Sequence, residues 1–380
     1  MKLRESCILC FSHIYLDFFR LFYVFFKLFP TQANKILFLS RQTDASSIDF
    51  RMLQKELLKQ NAKLKIKTMT KRIQKTPKEI FFKNTPQMFR QMYHLATAKV
   101  CIIDGYNIAV STLKHKKALR VVQIWHSLGA IKKFGKASPK TAFEQKIAEI
   151  FHMHEGYDMI VCPSEASAGL FAEAFGYDEK AVRVCGLPRI DYLLGSRGGG
   201  YNRKKILKKY PELGERKNIL YVPTFRNGQC EKMRELLRAV DINKFNLIVK
   251  LHPNTKLKYP RNERIFECRD FSVLQLFAIA DCVITDYSAV SFEAAVCNLP
   301  LYFYVFDLAQ YQKNPGLNID LNQEFPGFVF DNAGELMKRL SSSKYPKNLV
   351  KNYAKKYVAH VDTKNTKRLA KIVLKELVYA

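Results

Sequence analysis

From residue 35 to residue 330 the chain alternates short apolar runs with stretches of helical periodicity. The apolar runs predict strands at 35–40, 64–68, 99–104, 121–125, 159–163 and 183–186. A second set follows at 218–223, 246–251, 265–268, 282–286, 299–305 and 327–330. Strands that are apolar throughout and separated by helices predict parallel sheets covered on both faces. Between the sets lies GSRGGGY at 195–201, a natural hinge. No repeat at solenoid spacing appears. The expected fold class is therefore α/β, with two doubly wound domains that meet at a cleft and bind ligands at the carboxyl ends of their strands. This reading divides the chain into an N-terminal helix at 1–30, domains at 31–197 and 198–345, and basic helices at 346–380.

Residues 6–29 follow a different pattern. The stretch is long enough to span a bilayer, but Asp17, Arg20 and Lys27 interrupt it, and charges at mid-membrane depth are costly. No small-residue cleavage site follows, which argues against a secretory signal. Ser6, His13, Asp17, Arg20 and Lys27 fall on one narrow helical stripe, while Phe11, Ile14, Phe18, Phe19, Phe22, Phe25 and Phe26 cover the rest. That pattern predicts a helix lying in the headgroup plane of a membrane. A helix docked in the protein's own core or in a dimer interface has the same periodicity.

Composition narrows the choice of partner. With 380 residues, 48% hydrophobic and 26% charged, the chain is an ordinary globular one and not a disordered one. Its charge is unusual: 63 Lys and Arg against 34 Asp and Glu leave a net +29. Such a surplus points to nucleic acid, anionic lipid or a phosphate-rich substrate. Basic clusters lie at Lys114, Lys116 and Lys117, at 203–209, and along Lys347, Lys351, Lys355, Lys364, Lys367, Arg368, Lys371 and Lys375. Most aromatics sit in apolar runs and not among these clusters, which argues against base stacking on nucleic acid. Taken with the 6–29 helix, an anionic membrane surface accounts for the charge more economically. The nine cysteines are scattered, and Cys7-x-x-Cys10 has no second pair at zinc spacing, so buried free thiols are expected.

Polar residues able to carry chemistry gather at the predicted strand ends. Trp125, His126 and Ser127 close the fourth strand and run into Lys132 and Lys133. A histidine leaving a buried strand can act as a general base near neutral pH, although one histidine alone more often satisfies a local backbone group. Thr224 and Arg226 end the first strand of the second set, where Arg226 could hold a phosphate bidentately. His252 ends the next strand, and Pro253 marks the loop beyond it. Thr285 and Ser288 precede a short helix; their hydroxyls suit a phosphate cradle, and Ser288 could equally cap that helix. No GxxxxGK[ST] or GxGxxG occurs at a strand end, and no acidic cluster or DxD stands there. The chemistry is expected to proceed without a metal or other cofactor.

The series QIWHSLGAIKKFG, CGLPRIDYLL, YVPTFR, VKLHPN, ADCVITDYSAVSFEAA and FDLAQYQKNPG resembles the CDP-glycerol glycerophosphotransferases of wall teichoic acid and related capsule assembly. The resemblance covers roughly residues 35–345, in order, and is far more specific than any one motif. It implies the GT-B architecture and a peripheral place at the cytoplasmic face of the cell membrane. It also implies transfer of glycerol phosphate from CDP-glycerol to an undecaprenyl-diphosphate-linked saccharide, with release of CMP. The length is most like that of the priming enzymes. Residue by residue, the resemblance implies a base at His126 and a second essential histidine at His252. It places Thr224, Arg226, Thr285 and Ser288 around the donor pyrophosphate and Glu293 on the ribose, and Trp125, Ser127, Lys132, Lys133, Arg189 and Asp191 on the acceptor side. Two departures stand out: Ser127 replaces a common Gly or Ala, and Ser288-Ala289 replaces a frequent pair of serines. A polymerase, a CDP-ribitol enzyme and a sugar-nucleotide glycosyltransferase of the same fold remain as alternatives. A non-catalytic scaffold leaves the four strand-end motifs unexplained.

Overall fold

The computed structural model describes residues 2–72, 84–195, 197–226, 230–252, 255, 257–259, 263–342 and 344–379. Ser196 of the expected hinge and Pro253 of the expected loop lie outside them. All twelve strands anticipated from the apolar runs form: β1 Lys35–Ser40, β2 Lys65–Thr70, β3 Val100–Ile103, β4 Arg120–Gln123, β5 Met159–Cys162, β6 Val182–Val184, β7 Lys217–Val222, β8 Phe245–Val249, β9 Ile265–Phe266, β10 Cys282–Thr285, β11 Leu301–Tyr304 and β12 Val329–Phe330. They make two six-stranded sheets, in the orders β2-β1-β3-β4-β5-β6 and β12-β11-β10-β7-β8-β9. Every described strand pair is parallel. The central strands are buried along their whole length, because helices cover both faces of a doubly wound sheet. Edge strand β2 (KIKTMT) alternates exposed and covered positions instead.

The chain divides into two compact units, one of residues 1–126, 134–188 and 364–380 and the other of residues 127–133 and 189–363. The division falls at Pro188/Arg189, ahead of the glycine-rich stretch, whose residues Arg197–Tyr201 form a π-helical turn leading into the helix Asn202–Lys209. The two C-terminal helices part company. Lys347–Tyr357 packs in the second unit, with Tyr353 stacked on Phe292 at 5.1 Å. Asn365–Tyr379 packs in the first, burying Leu369, Ala370 and Val373 and pairing Glu376 with Arg120 at 2.9 Å. Lys364, Lys367, Lys371 and Lys375 stay exposed along one side of it.

The N-terminal helix α1 (Lys2–Phe26) differs from the sequence pattern in one respect. It is not apolar all round one solvated stripe, because it docks on the first unit through Ser12, Leu16, Phe19 and Tyr23, all buried. Phe19 packs on Phe89 at 5.3 Å between ring centroids. The Tyr23 hydroxyl donates to His115 Nδ1 at 2.8 Å, since His115 Nε2 donates to Val110 O at 2.9 Å. Arg20, expected in the solvated stripe, donates to Thr112 O at 3.3 Å and to Asp17 at 2.9 Å. Away from the docked side the helix exposes Ile8, Phe11, Ile14, Phe18, Leu21, Phe22, Val24 and Phe25, followed by Leu28 and Phe29.

Candidate active site

In a doubly wound sheet the ligand crevice opens at the carboxyl ends of the strands where the strand order reverses. In the second unit that point lies between β7 and β10, which pair in parallel with Val222 opposite Thr285. The residues following the two strands therefore face one another. The Thr224 backbone N–H donates to both Asp286 oxygens at 2.9 and 3.0 Å, and its hydroxyl donates to Asp286 Oδ2 at 2.8 Å. Arg226 lies in the same cluster. Its Nε donates to Asp307 at 2.7 Å and its Nη2 to Asp307 at 3.1 Å and Asp286 at 3.0 Å. Its Nη1 donates to the Thr224 hydroxyl, to Tyr311 OH at 2.9 Å and to Phe225 O at 3.3 Å. The guanidinium also lies 4.5 Å from the centroid of Tyr311, which stacks on Tyr287 at 4.1 Å.

This cluster is buried, and its electrostatics follow from that. Loss of water pushes the Asp286 carboxyl up, and Arg226, Thr224 and Lys132 oppose the shift. Since every neighbour donates to it, Asp286 is held as a carboxylate, and Arg226 is correspondingly held protonated. Lys132 reaches the cluster from the segment 127–133; burial lowers its ammonium, while Asp286 supports it. Lys132 and Lys133, which the resemblance put on the acceptor side, lie in the segment 127–133 of the second unit, where Lys133 N donates to Gly316 O at 3.0 Å. Gly129 in the same segment lies against Phe292, where a Cβ would come within 2.4 Å of the ring. Ser127 closes a turn of its own, donating to Gly129 O at 2.7 Å.

The remaining expected donor-side residues are dispersed. The Thr285 hydroxyl donates to Val222 O at 2.7 Å and so stitches β10 to β7. Ser288 Oγ sits 3.4 Å from Val290 N, at the start of the helix Val290–Val296. Glu293 on that helix accepts from Arg189 at 2.8 Å, and both side chains are largely buried. Asp191 follows Arg189 on the helix Pro188–Leu194. His252 is exposed, 5.3 Å from the Phe225 ring, and lines an open recess with Lys250, Thr255 and Tyr259.

In the first unit, β4 delivers Trp125 and His126. Trp125 takes a positive φ of 55°, a costly conformation for a bulky residue and one common at functional sites. Gln123 supports it: Oε1 accepts from Trp125 N at 2.9 Å, and Nε2 donates to Gly105 O at 3.2 Å. The indole stacks on Phe134 at 4.8 Å and meets Phe175 edge-on at 5.2 Å. His126 Nδ1 lies 2.8 Å from Asp104 O. A carbonyl only accepts, so Nδ1 carries the proton of the neutral ring and Nε2 carries the lone pair. Nearby His154 is buried, and its imidazole is pulled down to about 3 by loss of water.

Asp286, Asp307 and Tyr311 join the cluster without having stood out in the sequence as site residues. The available signal was a carboxylate directly after an apolar strand, where only a buried partner makes such a residue tolerable. Among the described residues no three His, Cys, Asp or Glu side chains gather as a metal site.

Solved structures with this architecture share little sequence with the chain. The wall teichoic acid polymerase TagF superposes with a TM-score of 0.74 at 18% identity, over 99% of this chain and 98% of that one. A UDP-N-acetylglucosamine 2-epimerase from Listeria monocytogenes reaches 0.61 at 15% identity over 91% and 97%. These place the two Rossmann-like units in the GT-B class of folds. In sequence, the family described as CDP-glycerol:poly(glycerophosphate) glycerophosphotransferase matches residues 21–375, and the chain belongs to that family. The teichoic acid ribitol-phosphate primase of Bacillus spizizenii is 29% identical over 91% of this chain and 92% of its own. The glycerol-phosphate primase of Bacillus subtilis is 29% identical over 68% and 69%. The poly(ribitol-phosphate) polymerase of Bacillus spizizenii is 25% identical, and this chain covers 58% of its length.

Proposed function

We propose that the protein transfers glycerol phosphate from CDP-glycerol to a hydroxyl of a lipid-linked saccharide, as a priming step of teichoic acid or related capsule assembly. The acceptor oxygen attacks the β-phosphorus, its proton passes to His126 Nε2, and the bridging P–O bond breaks so that CMP leaves with the electron pair. The observation that carries this is the 2.8 Å contact of His126 Nδ1 with Asp104 O, which leaves Nε2 as the basic nitrogen of the neutral ring. The Thr224–Arg226–Asp286–Asp307–Lys132 cluster sets the strand ends of the donor unit; Lys132, His252 and Ser288 are the groups offered to the pyrophosphate. Family membership and the full-length match to a primase support the reaction class.

The protein works as a peripheral protein on the cytoplasmic membrane face. Glu5–Phe26 is long and apolar enough to cross a bilayer, with a mean hydropathy of 1.5. However, Arg20 and Asp17 and the docked face suit a helix lying flat, with Phe11, Ile14, Leu21 and Phe25 in the acyl boundary. CDP-ribitol is the second reading, favoured by the relative matched along nearly its whole length. Incubating the protein with each CDP-alcohol and a lipid-linked disaccharide, read by mass spectrometry, tests both. A single added glycerol phosphate with equimolar CMP is the expected product. A single ribitol phosphate selects the second reading, a long chain makes the enzyme a polymerase, and a nucleoside diphosphate product rejects phosphotransfer.

A further inference from the structure

The first unit has its own topological switch point, which the reaction scheme leaves unused. There β1 is flanked by β2 and β3, so the crevice outside their carboxyl ends opens where the order reverses. Arg41 follows β1, Lys71 follows β2 and Asn107 lies beyond β3; Asn84 and Gln91 join them from the helix Thr85–Thr97 and its start, and Tyr15 from α1, around a small open recess. Apart from α1's tyrosine, these polar residues are all cations or amides.

Arg41 is incomplete as the fold leaves it. Its Nη1 donates to Tyr106 O at 3.1 Å and its guanidinium lies 5.2 Å from the Tyr106 ring centroid, but its buried Nε has no hydrogen-bond partner. Among the described residues no carboxylate pairs with it; the nearby Asp44 goes to Lys71 at 3.8 Å, on the exposed rim. A guanidinium with a buried, unused donor and amide neighbours is well matched to an oxyanion, which answers its charge as well as its N–H. The first turn of a thirteen-residue helix at the same recess favours negative charge as well.

Arg41 is tied to the same loop that holds the candidate base. Tyr106 O, which Arg41 holds, is two residues from Asp104 O, which holds His126. At Gly105 between them, a Cβ would meet Gln42 Nε2 at 2.9 Å and His126 Nδ1 at 3.9 Å, so Gln42 and the histidine both border Gly105. On its other side the recess touches α1, whose outer face is apolar. We propose that this recess binds the lipid-borne phosphate or diphosphate of the acceptor. Arg41 anchors the anion, Lys71 screens it at the rim, the lipid tail leaves along α1, and the saccharide is presented to His126. The proposal rests on the reading that the acceptor is a lipid-linked saccharide.

Binding is the primary test, in full-length protein with saturating CMP to fill the donor side. Geranyl diphosphate titrated by calorimetry should bind wild type and lose at least about tenfold in affinity in Arg41→Gln, with a smaller loss in Arg41→Lys and no change in melting temperature. A turnover arm compares one disaccharide on a prenyl diphosphate with the same disaccharide on an uncharged alkyl chain. Arg41→Gln should raise KM for the first by a similar factor and leave kcat, and both constants for the second, within about twofold. Unchanged geranyl diphosphate affinity in Arg41→Gln, or an equal KM loss on both acceptors, overturns the proposal. Displacement of geranyl diphosphate by phosphatidylglycerol vesicles, but not by phosphatidylcholine vesicles, also overturns it, because the recess then takes bilayer headgroups. If wild type uses neither acceptor while Arg41-dependent binding persists, the anion site stands and the transfer reading falls.

Discussion

Arg226→Gln separates two roles that the same side chain can play. If Arg226 holds the donor phosphate, the change costs affinity and little stability. Its environment gives the opposite expectation, because Asp286 and Asp307 already fill the guanidinium fork and the side chain is 11% exposed. The change leaves two largely buried carboxylates without their guanidinium, with Thr224 and Lys132 still beside Asp286 and Tyr287 beside Asp307. Breaking a buried ion pair from one side costs about 3–5 kcal/mol. For a unit of about 180 residues, at about 2–4 °C per kcal/mol, its melting temperature falls by about 6–20 °C.

The loss carries a pH signature. Burial already raises the Asp286 carboxyl, and Arg226 is the largest influence opposing that rise. Without Arg226 the folded-state pKa climbs further above the unfolded value of about 3.9, so the folded state binds the proton more readily. Stability is then fully retained only below the unfolded pKa and falls as pH rises through the folded one. The gap between variant and wild type should be narrowest below the unfolded pKa and widen as pH rises through the folded one. Calorimetric scans across that range measure it, and adding Asp286→Asn should return part of the loss, since the two residues share one network. A pH-independent shift worth less than about 1 kcal/mol, together with a tenfold loss of CDP-glycerol affinity, would refute the reasoning and make Arg226 a phosphate ligand.

His126→Ala should cut kcat by about 10²-fold or more while leaving CDP-glycerol affinity within about twofold, and near-normal turnover would remove His126 as the base. On α1, the triple change Phe11→Ser, Leu21→Ser and Phe25→Ser should leave the melting temperature unchanged and release the protein from anionic vesicles, as a sedimentation assay reads it. In contrast, Phe19→Ala should cost about 3–5 kcal/mol by denaturant titration, because that ring is buried against Phe89. Equal vesicle retention in the triple variant and wild type would leave α1's outer face for a protein partner. High salt should release wild type only in part, since it screens the exposed lysines of Asn365–Tyr379 and leaves the apolar contact intact.

The strands are legible in the sequence because a parallel sheet buries both faces: Ile36–Leu39 and Cys282–Ile284 carry no polar position that could face water. Chain order also shows which residues follow each strand, so position along the chain is enough to single out His126, Thr224 and Arg226. What sequence does not show is strand order, and partnership follows from order. Arg226 and Asp286 meet across 60 residues only because β10 inserts beside β7, and Asp307 reaches the same guanidinium from 81 residues away. Arg41 gives no signal in the sequence for the same reason, since its neighbours at Lys71 and Asn107 follow two other strands. Nor can periodicity say which of two apolar sectors of α1 is docked: Phe18 and Phe19 are adjacent in sequence and chemically identical, yet one is 45% exposed and the other fully buried. A helix apolar around most of its circumference can pack on its own protein with one sector and meet a lipid surface with another. Of the two readings that periodicity set against each other, docking in the protein holds for the sector of Leu16, Phe19 and Tyr23, and the sector of Phe11, Leu21 and Phe25 is the one the vesicle assay tests.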